Sequence, residues 1–169
     1  MSLSQMLLPE FDQEMATTRR VLERLPADKF DFKPAEKSMP LGRLASHIAE
    51  MPDWYVVTLT TESLDFAPPG GPPYKPVIFA TPAEVLRVLD KNVKAAREAL
   101  LAVSDETLGQ PWSLLMGGNP IFTLPRIAAL RGMVLNHLIH HRGQLTVYYR
   151  LTGVPVPAVY GPSADEQAP

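Results

Sequence analysis

The chain carries four histidines, and three of them, His137, His140 and His141, fall inside the single stretch NHLIHHRGQL at 136–145. Burying an imidazole is costly unless its nitrogens find partners. The residues around this stretch recur with helical period. A helix advances about 100° per residue, which puts His141 about 40° from His137 on one face. Their Cβ atoms then lie ~5–6 Å apart, one turn along the axis. Leu130, Met133, Val134, Gln144 and Tyr148 fall on the same side, which marks it as inward. His140 lies at its edge. Two imidazoles so spaced can close on one metal ion. The fourth histidine, His47 in LASHIAEM, has Leu44 and Met51 as same-face neighbours and also points inward. Where these two helices pack side by side, His47, His137 and His141 can converge. Three neutral imidazoles plus a water complete a tetrahedral Zn²⁺ site, and Ni²⁺ accepts the same donors. Each of the three also fits an ordinary core histidine held by hydrogen bonds, and periodicity does not separate the alternatives.

Several sharper motifs are missing. No Glu follows the first histidine of the helical pair, so the zincin protease pattern fails. No Glu stands three residues before any His, as the di-iron carboxylate proteins require. GPSADE has a serine but not the strand–turn–helix setting of a nucleophile elbow. The chain has no cysteine, which excludes disulfides, thiolate metal sites and a cysteine nucleophile. With a net charge of −2 and scattered Lys and Arg, it has no basic field for nucleic acid or anionic lipid. The N-terminus lacks the basic region of a signal peptide. No apolar run approaches the ~20 residues of a membrane span. These features lead us to expect a cytoplasmic protein. A length of 169 residues fits one domain spanning 1–169.

Four helices are expected to position the histidines. The first covers about 2–25 and stops at Pro26. The second covers about 40–62, with Ser38 as its cap, Pro40 in its first turn and a kink at Pro52. The third starts at TPAE (81–84), which offers a capping box with Pro at the first position. The fourth covers about 124–152 and ends at Gly153 and Pro155. Between the second and third lies DFAPPGGPPYKPVIFATP, too long for a tight hairpin and read as a crossover. WSLLMGGNPIF, within the connection at 104–123, reads as a partly ordered flap. The tail VPVPAVYGPSADEQAP is extended by its prolines. With no strong strand pairs, the expected fold is an all-α four-helix bundle. It has a long crossover between helices 2 and 3 and an extended Pro-rich C-terminal tail. Ala128, Leu135 and Ile139 make the back of helix 4 apolar as well, which predicts a homodimer. Arg142 points away from the histidines as a salt-bridge or tail anchor. Asp165 or Glu166 is expected to pair with a helix cation.

Two segments carry a family resemblance. LNHLIHHRGQLTVYYRLTGVPVPAVYGPSADE (Leu135 to Glu166) resembles the C-terminal signature of the DinB family. KSMPLGRLASHIAEMPDW (Lys37 to Trp54) resembles its second-helix signature. The resemblance implies a four-helix bundle with a long crossover, often dimeric. It also implies a divalent-metal site formed by His47, His137 and His141, with His140 a non-ligand between the pair. The family's name comes from damage induction and implies no DNA binding. Its superfamily includes transferases that use thiols such as bacillithiol or mycothiol, together with many members of no assigned reaction.

Three functions follow as expectations. The first is metal-dependent transfer of a low-molecular-weight thiol to an electrophilic small molecule. The cofactor then supplies the nucleophile that this chain lacks, and Met51, Trp54 and Tyr55 are candidates for an apolar substrate pocket. The second is hydrolysis by a metal-activated water, whose pKa drops to ~7. Here Glu50 is the candidate base, and Gln144 and Tyr148 are candidates to orient a substrate. The third is a non-enzymatic metal- or small-molecule-binding protein of a stress response. For each of these side chains the plainer role is core packing or a solvated charge.

Overall fold

Ser2 opens the first helix, α1 (Leu3–Leu22), through a reciprocal capping box with Gln5. The protein is described by a computed structural model over residues 2–167. After a short 3₁₀ turn at Ala27–Lys29 the chain enters α2 (Leu41–Glu50), then α3 (Asp53–Thr60). Pro52 splits what the periodicity joins into one kinked helix, because its nitrogen cannot donate to the preceding turn. Ser38 does not cap α2. Pro40 stands at the cap, and the free N–H groups of Leu41 and Gly42 bond instead to the carbonyls of Phe32 and Phe30. A three-residue strand, β1 (Ser63–Asp65), precedes the irregular crossover. Thr81 then caps α4 (Pro82–Ala102), accepting from the Glu84 N–H. The Glu84 carboxylate reaches back to the N–H of Ala80.

The short helix α5 (Asp105–Gly109) leads into β2 (Pro111–Met116) and β3 (Asn119–Pro125). β2 pairs antiparallel with β3 and parallel with β1, in the order β1-β2-β3. The last helical stretch has three parts. They are α6 (Arg126–Ala129), a π-helical segment at Leu130–Leu135, and α7 (Asn136–Thr152). Gly153, at φ 75°, ends α7 in the left-handed conformation that glycine adopts at no cost.

The fold is therefore neither all-α nor a four-helix bundle. It holds a three-stranded mixed sheet, and five helices reach eight residues or more among the described residues. The segment expected to be a flap is a β-hairpin. Gly117 and Gly118, at φ 62° and 79°, form its two-residue turn, which requires positive φ at both central positions. The Asp65 carboxylate accepts from both glycine N–H groups and from Ala67, locking the turn to the end of β1. These N–H bonds hold the Asp65 pKa below the usual carboxylate value despite a cost of desolvation.

One core joins the long helices. It includes Phe11 and Leu22 of α1, Leu44 and Ile48 of α2, Leu89 and Leu100 of α4, and Leu138, Leu145 and Tyr149 of α7. A smaller cluster of Trp112, Leu114 and Ala129 seats the sheet. Met133, in the π segment, packs against both. Leu135 is buried and Ile139 packs on the main core, so the chain itself covers much of the expected dimer face. The tail is tied down by charge. Asp165 pairs with Arg150 and Glu166 with Arg24, and both carboxylates also accept from backbone N–H groups of the tail. Among the described residues no helix is long and apolar enough to cross a membrane.

Candidate metal centre

Helices α2 and α7 lie against each other. α2 is pinned from several sides. Ser46 bonds the Gly42 carbonyl and accepts from Phe79 of the crossover, while Asn92 of α4 donates to the Ala49 carbonyl. His47 is thus held 9% exposed on the side that meets α7. On α7, His141 is 8% exposed and His137 half-buried. The His47 ring centroid lies 5.2 Å from that of His137 and 4.8 Å from that of His141. One ring nitrogen from each of the three falls within 4.8 Å of the others. His140 is exposed and stands beside His141, outside this trio.

The protons on these rings decide what the cluster can do. Nδ1 of His141 lies 2.7 Å from Oε1 of Gln144, an acceptor, so Nδ1 carries the proton. Nε2 of His141 is left with its lone pair, and it lies 2.8 Å from Nε2 of His137, at hydrogen-bond distance. A neutral His137 protonated on Nε2 donates to it, and in its other tautomer His137 presents a second lone pair to an ion. Both rings are held neutral. Burial, against the opposing Gln144 bond and with the neighbouring histidines adding to it, pushes the His141 pKa down to about 4. Burial, then the His47 charge, also holds His137 below the ordinary histidine value. On α2, Nδ1 of His47 is buried and finds no hydrogen-bond partner among the described residues. Neutral imidazoles with converging lone pairs are the donor set a divalent ion takes. A tetrahedral ion with bonds of about 2.0–2.1 Å separates its nitrogens by about 3.3 Å, so small ring shifts accommodate it.

The other candidate residues divide. Trp54 stands at the site, its ring 5.6 Å from His47 and 5.7 Å from His137. Met51 is fully buried core, and Tyr55 is buried edge-on against Phe11. Both side chains are committed to the main core rather than exposed at the site. Tyr148 donates to the Met39 carbonyl and packs against Phe32, holding the loop before α2. Gln144 is the partner that orients His141. The Glu50 carboxylate lies 3.8 Å from His47 Nδ1, beside Arg43, and holds Tyr74 and the Val77 N–H of the crossover. Phe66 and Tyr74 continue the aromatic wall beyond Trp54. They escaped the sequence because an irregular crossover has no period to read.

A cavity of about 230 Å³ lies beside Arg142 and Tyr160, and none of the three histidines lines it.

Over residues 1–169 the sequence matches the model of the DinB family. The chain belongs to the DinB family. The uncharacterized protein YrdA of Bacillus subtilis (strain 168) is 25% identical over 165 residues, which cover 95% of this DinB chain and 90% of YrdA. A DinB-like protein from Bacillus cereus ATCC 10987 superposes with a TM-score of 0.71 at 26% identity, over 90% of this chain and 95% of that one. The DinB-like protein YjoA of Bacillus subtilis shares the fold, with a TM-score of 0.65 at 20% identity over 89% of this chain and 95% of that one.

Proposed function

We propose that this DinB chain holds a divalent metal ion, Zn²⁺ or Ni²⁺, through His47, His137 and His141, and uses it to transfer a low-molecular-weight thiol to an electrophilic small molecule. The carrying observation is the meeting of His47, His137 and His141, one ring nitrogen of each within 4.8 Å of the others, with Nδ1 of His141 already bonded to Gln144. An ion held there supplies positive charge that favours the anionic, nucleophilic form of a thiol. The chain has no cysteine, so the sulfur nucleophile must come from outside, as with bacillithiol- or mycothiol-type thiols.

The protein's own residues do the positioning. Gln144 fixes which nitrogen of His141 faces inward. The Trp54 ring covers one side of His47 and His137 and limits water there. Hydrolysis is the weaker reading, because Glu50, its candidate base, is engaged by Tyr74, Val77 and Arg43. A purely metal-binding role would leave the same ligands and no turnover.

The test begins with elemental analysis of protein purified without a metal column, where near-stoichiometric metal is expected. Metal-loaded protein is then given bacillithiol or mycothiol with a chromogenic electrophile. Transfer that disappears in His137→Ala, with folding retained, supports the proposal. Turnover of esters or lactams without thiol would replace it with hydrolysis, and no turnover of either kind would leave metal binding alone.

A further inference from the structure

One carboxylate oxygen beside the histidines is surrounded by more donors than it satisfies. Oε2 of Glu50 accepts from the Tyr74 hydroxyl at 3.2 Å. The same oxygen lies 3.6 Å from Nη1 of Arg43 and 3.8 Å from Nδ1 of His47. Those separations suit charge attraction but are too long for hydrogen bonds. Both nitrogens are buried and have no other partner among the described residues. The second oxygen, Oε1, accepts from the Val77 N–H at 3.3 Å. Glu50 is itself 15% exposed at its side chain. It is thus held toward the crossover by two long bonds, while two buried donors behind it go unmade. Leaving a buried donor unpaired costs about 1–3 kcal/mol.

We infer that Glu50 is the positioning residue of His47, and that the crossover competes with His47 for its carboxylate. This rests on the metal-binding reading above. An ion on one nitrogen of His47 withdraws electrons from the ring and makes the opposite N–H a stronger donor. A carboxylate accepting from that N–H fixes the ring's tautomer and orientation. A shift of under about 1 Å brings Oε2 from 3.8 Å to bonding distance of Nδ1. The same shift loosens its hold on Tyr74 and Val77. Metal binding and a tightly held crossover therefore oppose each other. The loosened segment carries Tyr74, which stacks on Phe66, which in turn packs against Trp54 at the histidines. A filled site is accordingly the one whose aromatic wall is free to move.

The test uses the full chain with Zn²⁺ as the probe, affinity being read by competition with a chromophoric chelator. Glu50→Ala and Glu50→Gln are expected to weaken Zn²⁺ binding, the alanine variant by about 10–100-fold. Tyr74→Phe removes one competitor and is expected to tighten binding by about 2- to 10-fold, the worth of one net hydrogen bond. A residue that only braces the fold would not give opposite signs in these variants. Hydrogen exchange gives a second readout, in which added Zn²⁺ lowers protection of the Val77 amide in the wild type but not in Glu50→Gln. Wild-type binding that both Glu50 variants leave within twofold, or that Tyr74→Phe weakens, overturns the role of Glu50 alone. A wild type that takes up no Zn²⁺ overturns the metal-binding proposal together with it.

Discussion

Two polar clusters flank α7 through neighbouring residues, His141 and Arg142, and they are built on opposite plans. Arg142 is 2% exposed and closes a network in which its polar contacts are protein groups. Its guanidinium bonds the Glu14 carboxylate at 2.7 Å, the Glu14 carbonyl and Thr18 hydroxyl at 3.1 Å, and the Tyr160 hydroxyl at 2.6 Å. The Tyr160 hydroxyl in turn donates to Glu14. The histidine cluster does not close. Nε2 of His141 meets only Nε2 of His137, another histidine, and buried nitrogens of His47 and Arg43 lack partners among the described residues. A network that satisfies itself holds a fold together, here the tail against α1 and α7. One that leaves complementary groups unpaired is poised for something the protein chain does not supply.

The two clusters should respond in opposite ways to substitution. The largest effect is expected at the closed network. Arg142→Met leaves the Glu14 carboxylate buried without its cation, a loss of about 3–5 kcal/mol in chemical denaturation. Zn²⁺ affinity of the folded fraction should barely change. His137→Ala should do the reverse, removing more than about 100-fold of Zn²⁺ affinity while changing metal-free stability by less than about 1 kcal/mol, since few surface-side changes cost more. Equal destabilisation by both variants would erase the contrast. Next in size, Gln144→Ala frees the His141 ring and should weaken Zn²⁺ by about 10–100-fold. Its signature is lost affinity at unchanged melting temperature.

A further contrast is in pH. His141 binds its proton only near pH 4 when folded, against an ordinary histidine value of 6.5. Between these values the unfolded chain holds more protons than the folded one. Stability of the metal-free protein should therefore be complete above about pH 6.5 and fall as pH drops toward 4. His141→Gln should flatten that slope, as read from denaturation midpoints across the window. A slope that persists unchanged would mean another group carries it.

Legibility in the sequence followed regularity. The inward face of the last helical stretch was readable in part: Leu130, Val134, His141 and Tyr148 are buried as the spacing predicts, whereas Gln144 is exposed and reaches back to His141. Tail pairing was readable from the acids of SADE facing basic helices. The hairpin was not read, although GG between WSLLM and NPIF is a turn signal. Its strands are short and β3 is largely exposed, so alternation was weak. The π segment was invisible for another reason. The Asn136 N–H reaches five residues back to Arg131, widening the turn just before His137. Angles projected at 100° per residue across Leu130–Leu135 are therefore displaced, even though Val134 and Leu130 still reach the core.

By itself the sequence determined the donor types, the absence of any thiol, and the helical faces on which His47, His137 and His141 lie. These depend on residue identity and on a backbone period that repeats locally. Tertiary structure alone decided that the faces meet and that Gln144 turns Nε2 of His141 inward. It also decided that Tyr55 packs into the core against Phe11 and that Glu50 stands between His47 and the crossover. Each of those outcomes depends on packing between segments far apart in the chain, where the winning contact is set by what else must be buried.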